Sequence, residues 1–302
     1  MRVLVAGATS VPGLPLLREL NSRGHEVVGL TRSSSKTSQI SAAGAQPVVA
    51  DVFDADEIAR AVADFAPEVV VSLLTTLPKR GPMRIRDFEP AKKLWGTGAP
   101  NLLAAAQRAG VRRVVAESVI FAYGYPTTGP ALIDESDPYP GPPPPDGEAM
   151  LAALRGMEQK VLTSGEHSET EGIVLRYGAF YGPRVPHDEL IQRMTKWRVA
   201  LDMGGSGIAS WVYIDDVAKA TANALERGRG GQIYNIVDDR PQSFDDYTRE
   251  LGAKLGRHRM LRIPRAAVKL VAPYGVTAFG DTWLPLSNAK AKAELGWTPI
   301  PR

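Results

Sequence analysis

Residues 1–13 read MRVLVAGATSVPG and carry the strongest indication of the architecture in this chain. Its short apolar run is typical of a buried strand, and residues 14–23 carry apolar side chains at helical spacing. Gly7 and Gly13 bound the turn between them, where glycine permits a tight turn and lets helix and strand pack closely. We therefore predict a strand, a turn and a helix in immediate succession.

The turn has the spacing Gly-x-x-Gly-x-x-Gly, with Ser10 in the middle position. Unpaired N–H groups at a helix start favour phosphates, so the turn predicts a binding site for the pyrophosphate of a dinucleotide. A purely structural turn is the alternative. The Ser10 side chain either lifts the phosphates slightly or donates its hydroxyl to them. The residues predicted to contact the cofactor here are Gly7, Thr9, Ser10, Val11, Pro12 and Gly13.

Composition excludes several classes of function. The 36 Lys and Arg residues nearly balance 33 Asp and Glu residues, a net charge of +3, which is far from that of a nucleic-acid binder. There is no Cys, and the four His are scattered, so no disulfide, thiolate or metal site is expected. No apolar stretch is as long as a membrane span, and a strand starting at Arg2 leaves no room for a signal peptide. We expect a soluble cytoplasmic protein with no membrane or nucleic-acid partner.

Strand and helix patterns alternate through the first half of the chain. This order predicts an α/β fold: a Rossmann-type doubly wound parallel sheet with a smaller C-terminal substrate lobe. Ligands of such sheets bind beyond the carboxyl ends of the strands. The predicted strands are 2–6, 26–30, 46–49, 68–73, 112–117 and 172–176, and the predicted helices are 14–23, 55–64, 91–109 and 148–163.

The pattern is mixed after residue 176. We predict a helix near 190–199, a strand at 210–214, a helix to Leu225 with Asp216 as its N-cap, a strand at 231–237, and helices near 244–255 and 265–271. The expected nucleotide-binding core comprises residues 1–178 and 210–237. The expected substrate lobe comprises residues 179–209 and 238–302.

Two segments between these elements have unusual compositions. Residues 138–145 are mostly proline, which predicts a rigid surface loop; it either borders the cleft or serves as a plain connector. Residues 79–86 are rich in Lys and Arg and follow the fourth strand. They either attract an anionic substrate or form a solvated loop.

Several short motifs, in their order along the chain, resemble the extended short-chain dehydrogenase/reductase superfamily, in particular its atypical, epimerase/dehydratase-like branch. Besides the N-terminal turn, these are ADV at 50–52, GT at 96–97 with NLL at 101–103, Ser118 before YG at 123–124, LRYGAFYGP at 175–183, VYIDDVA at 212–218, and SNAKA at 287–291 with LGW at 295–297. The resemblance implies an enzyme with an NAD(P) cofactor. It implies that Asp51 contacts adenine and that Tyr177 and Phe180 lie beside nicotinamide. Residues following the strands complete the predicted cofactor site: Val52, Leu73, Leu74 and Thr75.

The chain departs from this family at the proton donor. On the helix after the fifth strand, the family carries a Tyr and, four residues later, a Lys. Aligning this helix on Glu158 and Val161, which resemble the family's pattern, puts Met150 and Leu154 at those two positions. The polar candidates for catalysis that remain are Ser118, which can orient a carbonyl, and Tyr123, which either packs structurally or donates a proton. Lys93 is either the cation that activates Tyr123 or an exposed lysine.

The second strand ends without the acidic residue that binds the ribose of NAD. Arg32 and Ser33 occupy these positions. Because a guanidinium suits a 2′-phosphate, we predict NADP(H) as the cofactor. In the alternative interpretation, Arg32 is a plain loop residue.

Three functions follow from these residues. The first is an NADP(H)-dependent oxidoreductase or isomerase acting on a small organic substrate. The second is a non-redox lyase, cyclase or epimerase, and the third is a non-catalytic NADP(H) sensor. We expect a monomer or homodimer.

Overall fold

The computed structural model describes residues 1–78, 81–138, 141–166 and 168–301. Its strands, numbered along the chain, are β1 (Arg2–Ala6), β2 (Glu26–Thr31), β3 (Gln46–Val49), β4 (Val69–Ser72), β5 (Arg113–Val119), β6 (Glu171–Tyr177), β7 (Ala179–Tyr181), β8 (Val199–Leu201), β9 (Trp211–Tyr213), β10 (Gln232–Ile236) and β11 (Leu261–Ile263). Seven of them form one parallel sheet in the order β10-β6-β5-β4-β1-β2-β3, which is the Rossmann-like α/β fold predicted from the sequence.

Twelve α-helices accompany the strands in the described ranges. They are α1 (Gly13–Ser22), α2 (Thr37–Ala42), α3 (Ala55–Phe65), α4 (Glu89–Lys93), α5 (Ala99–Arg108), α6 (Glu148–Leu162), α7 (Pro186–Lys196), α8 (Ile214–Arg227), α9 (Phe244–Lys254), α10 (Arg265–Val271), α11 (Pro273–Val276) and α12 (Ala289–Leu295). None of these helices combines the length and the apolar character needed to cross a membrane.

Apolar side chains cover both faces of the sheet. One core joins the sheet to α3, α5 and α6, with Leu4, Val70 and Val114 among its members. The other joins it to α1 and α8, with Val5, Val71 and Val115. Successive strand residues enter opposite cores because side chains alternate along a strand. The sheet is therefore buried on both sides, and its carboxyl edge is left for ligands.

The prediction of one continuous helix over 91–109 is wrong. The structure has α4, then a π-helical turn at Leu94–Gly98, then α5. Pro100 lies in the first turn of α5 and has no N–H to donate to the preceding turn, so regular α-helical bonding cannot continue through it. The wider π-turn accommodates this break.

Asp216 is not the N-cap of α8. The helix begins at Ile214 with Tyr213 as its N-cap, so Asp216 lies inside the first turn. It is fully buried and accepts a hydrogen bond from the Ile300 N–H at 3.2 Å. Because Asp216 and Ile300 are far apart in the sequence, no local sequence pattern predicts this contact.

Three short strands missed in the sequence, β7, β8 and β11, build the small sheets beside the main one together with β9, which was predicted at 210–214. β7 pairs with β9, and β8 pairs with β11. A third apolar cluster, including Met203, Trp211 and Tyr247, lies among these elements. The predicted boundaries of core and lobe stay a prediction.

Candidate functional site

The turn between β1 and α1 is built around two glycines that tolerate no side chain. Gly7 has φ +80°, and a Cβ there would collide with the Leu73 carbonyl oxygen. A Cβ on Gly13 would lie 2.5 Å from the Ala8 carbonyl oxygen. The turn closes through hydrogen bonds from the Ser10 N–H to the Gly7 carbonyl, 2.9 Å, and from the Gly13 N–H to the Ser10 carbonyl, 3.1 Å. The N-terminus of α1 thus opens at the carboxyl edge of the sheet.

Ser10 supplies a test of whether this turn fits a phosphate. Its hydroxyl oxygen is buried, and it has no hydrogen-bond partner among the residues that the structure describes. A buried hydroxyl normally finds a partner, and a phosphate at the adjoining helix start would provide one. The turn therefore fits the pyrophosphate of a dinucleotide, to which the Ser10 hydroxyl would donate.

Asp51 and Val52 follow β3 at the same edge. Asp51 accepts a hydrogen bond from the Phe53 N–H at 3.0 Å, and the Val52 carbonyl accepts one from Asn101 Nδ2 at 3.0 Å. A Cβ on Gly98 would lie 2.9 Å from the Val52 side chain. Asn101 of the NLL motif and the close approach of Gly98 therefore hold in place the loop predicted to contact adenine.

Arg32 and Ser33 lie directly after β2. The Arg32 side chain is exposed, and Ser33 is held by its N–H to Thr31 Oγ1 at 3.2 Å and by its hydroxyl to Ser35 at 2.8 Å. The guanidinium is therefore accessible to a 2′-phosphate at the edge where the ribose would lie.

Leu73, Leu74 and Thr75 follow β4 next to the glycine turn. Leu73 is buried against Gly7, whereas Leu74 and Thr75 are partly exposed. The Thr75 side chain hydrogen-bonds the carboxyl of Glu117, a buried residue near the end of β5 that the sequence did not single out. Burial raises the pKa of Glu117 to about 8.

Tyr177 ends β6 and Phe180 lies in β7, with their ring centroids 5.7 Å apart. The Tyr177 hydroxyl hydrogen-bonds Thr221 of α8 at 2.7 Å, and the residue is fully buried in the core that joins the sheet to α1 and α8, so its place beside nicotinamide stays a prediction. His187 of α7 lies 3.0 Å from the Phe180 carbonyl oxygen through Nε2, and burial lowers its pKa. His187 stood alone in the sequence and gave no signal of this position.

Ser118 is not open to the cleft. It is 1 % exposed, and its hydroxyl donates to Glu158 Oε1 at 2.6 Å. Glu158 also forms a two-point ion pair with Arg176 at 2.9 and 2.7 Å, and both side chains are buried. These contacts favour a supporting role for Ser118, whose catalytic role stays a prediction.

Tyr123 is fully buried as well. Its hydroxyl lies 3.1 Å from two acceptors, the Asp134 carbonyl and Asn235 Oδ1, and the Arg176 guanidinium lies 4.3 Å from its ring centre. Burial raises the pKa of Tyr123 to about 12, although Arg176 acts in the opposite direction. The hydroxyl is therefore a poor proton donor, and these contacts favour the structural alternative.

Lys93 does not approach Tyr123 in these contacts: its ammonium lies 4.6 Å from the ring centre of Phe53. Met150 and Leu154 are each 2 % exposed and belong to the core between the sheet and α6.

A group of aromatic side chains, the aromatic wall, joins the carboxyl edge of β5 to the C-terminal segments. Phe121 stacks on Tyr125 at 5.2 Å and meets Phe279 edge-on at 6.1 Å. Phe279 in turn stacks on Trp211 at 5.6 Å. The wall comprises Phe121, Tyr125, Trp211, Tyr274 and Phe279.

The two compositionally biased segments border this region. In the basic segment, Lys79 and Arg80 lie outside the described residues; the Met83 carbonyl accepts from the Tyr274 N–H at 2.9 Å, and Arg84 and Arg86 are exposed. In the proline-rich segment, Tyr139 and Pro140 lie outside the described residues. Its Gly141 N–H donates to the Tyr123 carbonyl at 3.1 Å, so the segment packs beside the end of β5.

Comparison with known proteins assigns this arrangement to a family. The model of the NAD dependent epimerase/dehydratase family matches residues 3–237. A Streptomyces relative named 3-diazoavenalumate denitrifying reductase is 34% identical over 307 residues, which cover 99% of this chain and 96% of the relative. The 2-alkyl-3-oxoalkanoate reductase of Stenotrophomonas maltophilia is 27% identical over 308 residues, covering 98% of this chain and 87% of that protein.

The fold is shared with solved structures. The crystal structure of UDP-glucose 4-epimerase from Thermotoga maritima with UDP-glucose superposes with a TM-score of 0.82 at 23% sequence identity. The match covers 100% of this chain and 94% of that one.

Proposed function

The chain belongs to the NAD dependent epimerase/dehydratase family and is an oxidoreductase, and we propose that it reduces a small organic acceptor with NADPH. The acceptor we propose needs no proton from a Tyr–Lys pair. When bound, the reduced cofactor supplies a hydride at the carboxyl edge of the sheet. The protein positions the two reactants and excludes water.

One observation carries this proposal. Met150 and Leu154 are buried in the core at the two positions where the family resemblance places its proton-donating pair. Neither side chain exchanges protons. Tyr123 is buried with a raised pKa, so it does not replace them. Carbonyl reduction needs a proton on the developing oxyanion, and these residues supply none.

A diazonium group is an acceptor with the required chemistry. It already carries a positive charge, so a hydride forms the new C–H bond, the C–N bond breaks, and dinitrogen leaves with the bonding electrons. The reaction consumes no proton. The name of the 34% identical relative, a denitrifying reductase of a diazo compound, supports this class of substrate for the present chain.

The aromatic wall supports an aromatic substrate. Phe121 and Phe279 are partly buried and meet at the junction between the β5 edge and the C-terminal segments. Aromatic rings bind other rings in stacked or edge-on contacts. Exposed Arg84 and Arg86 lie in the segment that contacts Tyr274 and would favour a substrate bearing a carboxylate. We therefore propose an anionic aromatic diazonium compound.

The choice of NADPH rests on Arg32. Its guanidinium is exposed, and no acidic residue stands among Thr31, Arg32 and Ser33 to bind a ribose diol. The proposed cofactor contacts otherwise follow the sequence prediction, from Gly7 to Gly13, at Asp51 and Val52, at Leu73 to Thr75, and at Tyr177 and Phe180. We also propose the core and lobe boundaries given above, and a monomer or homodimer.

The test uses purified protein, NADPH deuterated at one of its two C4 positions, and an arenediazonium salt with a carboxylate side chain. We expect evolution of dinitrogen and deuterium at the vacated ring carbon from only one of the two labelled cofactors. A blank without protein corrects for direct reduction by free cofactor, which has no such stereospecificity.

Other outcomes contradict the proposal in distinct ways. Reduction of a ketone panel with no diazonium turnover would overturn the substrate class. Conversion of substrate without oxidation of the cofactor would favour the lyase, cyclase or epimerase alternative. Tight cofactor binding with no turnover of any kind would favour the sensor.

A further inference from the structure

Glu117 is the buried ionisable group that the proposed reaction leaves unused. It is 6 % exposed, and its Oε2 atom has no hydrogen-bond partner among the described residues. Buried carboxyl oxygens without a partner are uncommon, and each one calls for a physical account.

Its neighbours come from both sides of the predicted cofactor site. The Thr75 side chain, from the loop after β4, hydrogen-bonds the carboxyl. Tyr177, at the end of β6, is close enough for the charge of Glu117 to contribute to its raised pKa, although burial is the larger cause. Both residues belong to the predicted cofactor site, and Glu117 lies between them on β5.

The charged surroundings of Glu117 are sparse. Tyr177 is its titratable neighbour from β6, and α8 contributes Thr221, which pairs with the Tyr177 hydroxyl. Within the described part of the chain, no cation offsets the burial of the carboxyl, so the pKa of Glu117 rises to about 8. The carboxyl is therefore neutral at pH 7 in the free protein.

We propose that Glu117 distinguishes the oxidised from the reduced cofactor, as a neutral carboxyl beside the reduced nicotinamide and as a carboxylate beside the positively charged oxidised ring. A positive charge within about 4–6 Å lowers the pKa of a carboxyl by about 1 to 3, which suffices to ionise this group near neutral pH. The proposal rests on the cofactor site described above, and it concerns binding rather than turnover.

The ionisation has a direct consequence for affinity. Below about pH 8, binding of the oxidised cofactor must release a proton from Glu117, whereas binding of the reduced cofactor releases none. As the pH falls from about 8 to the lowered pKa of the oxidised complex, the affinity for the oxidised form then falls about tenfold for each pH unit. Protonation of Glu117 at neutral pH therefore weakens binding of the oxidised cofactor relative to its binding above pH 8 and leaves binding of the reduced cofactor unchanged.

The experiment is calorimetric titration of the wild type with NAD⁺ and with NADH between pH 6 and 9, in two buffers of different ionisation enthalpy. These cofactors lack the 2′-phosphate, whose own titration would interfere. We expect proton release on binding NAD⁺ at pH 7 and almost none on binding NADH. In Glu117→Gln, the proton release and the pH dependence of NAD⁺ affinity should both disappear.

Glu135→Gln is the matched control. Burial also raises the pKa of Glu135, but this carboxylate accepts from the N–H of Asn235 at 2.6 Å, and Asn235 lies on the edge strand β10. This variant should retain the proton release of the wild type. If Glu117→Gln releases as many protons as the wild type, or if NADH releases as many as NAD⁺, the proposal is overturned.

A second measurement uses the wild type alone, should Glu117→Gln fail to fold. In infrared difference spectra at pH 7, the stretching band of a protonated carboxyl should vanish when NAD⁺ binds and persist when NADH binds. A band that persists with both cofactors contradicts the role of Glu117. Binding of neither these cofactors nor NADPH would instead contradict the proposed function, so the two failures are distinguishable.

Discussion

Arg32 carries the cofactor preference at the scale of a single side chain. Its exposed guanidinium gives a 2′-phosphate two parallel charge-assisted hydrogen bonds that NADH cannot form. We expect NADPH to bind at least about tenfold more tightly than NADH, a difference of about 1.4 kcal/mol. In calorimetric titration, Arg32→Ala should weaken the binding of NADPH by that factor and leave the affinity for NADH unchanged. Lys36→Ala, an exposed cation of the same segment, is the control, and equal affinities in the wild type would contradict the assignment.

Ser118→Ala tests whether this side chain acts in catalysis or in support. Because the Ser118 hydroxyl donates to the carboxylate of Glu158, its removal should cost about 2 kcal/mol of folding free energy. We expect a lower midpoint of urea unfolding and a kcat within about threefold of the wild type. A loss of about a hundredfold in kcat with unchanged stability would instead establish the predicted catalytic role.

The partners of Ser118 and Tyr123 show what the sequence could not supply. Both residues were chosen because they follow the predicted fifth strand at the expected ligand edge; the structure puts Ser118 inside β5 and Tyr123 at the end of the next turn, and both are buried. Glu158 and Arg176, which engage them, come from α6 and β6. No local sequence pattern connects such distant positions, so the burial and hydrogen bonding of Ser118 and Tyr123 could not be predicted from the sequence. Glu117 was missed because a single carboxyl in a strand pattern resembles any solvent-facing residue.

At the scale of elements, the strand–turn–helix unit at the phosphate site depends on the absence of a side chain at Gly13. An alanine there would place its Cβ 2.5 Å from the Ala8 carbonyl, so the turn must open. We expect Gly13→Ala to lower cofactor affinity by more than about tenfold in titration. Gly156→Ala on α6 is the matched control: nothing lies within 4 Å of its Cβ position. That change should stabilise the protein by about 0.4–1 kcal/mol, because alanine favours a helix.

The packing of α6 predicts the result of restoring the family's proton donor. Leu154 is 2 % exposed, so Leu154→Lys places an ammonium in an apolar core at a cost of several kcal/mol, about 3 or more. We expect Met150→Tyr combined with Leu154→Lys to lower the thermal midpoint and to give no gain in activity. Met150→Leu, which conserves the apolar character, should be nearly neutral. A stable double variant with higher turnover would show that the two positions face the cleft.

Most strands of the parallel sheet were predictable because they are apolar runs of the right length followed by a turn, although β3 and β10 also contain polar residues. The π-turn before α5 and the short strands β7, β8 and β11 were not. The π-turn depends on how Pro100 is accommodated, and strands of three residues are too short to show an alternation of apolar and polar side chains. Tertiary pairing, rather than local sequence, fixes such short pieces.

At the scale of the whole molecule, Glu117 makes the stability of the cofactor-free protein depend on pH. Its pKa is about 8 when folded and near 4.5 when exposed, so between these values the folded state holds a proton that the unfolded state has lost. Stability should therefore fall as pH rises through this window, by about 1.4 kcal/mol per pH unit from this group, and level off above about pH 8. Urea unfolding from pH 5 to 9 measures this slope.

Glu117→Gln isolates the contribution. Burial lowers the pKa of His187, which contributes a slope of the opposite sign near and below pH 6.5, but both proteins share it. The free energy of unfolding of the wild type minus that of Glu117→Gln should show only the decrease with rising pH that Glu117 causes. Parallel curves for the two proteins would mean that Glu117 does not stay protonated in the folded state.

The strand order also governs how the chain is made. β10 pairs with β6, yet the ribosome must synthesise β7, α7, β8, β9 and α8 between them. For a time on the order of seconds, the nascent sheet ends in β6 with an open, apolar edge. Such an edge recruits other strands, so the emerging polypeptide should be most prone to aggregate, and most dependent on chaperones, until residue 236 has left the exit tunnel.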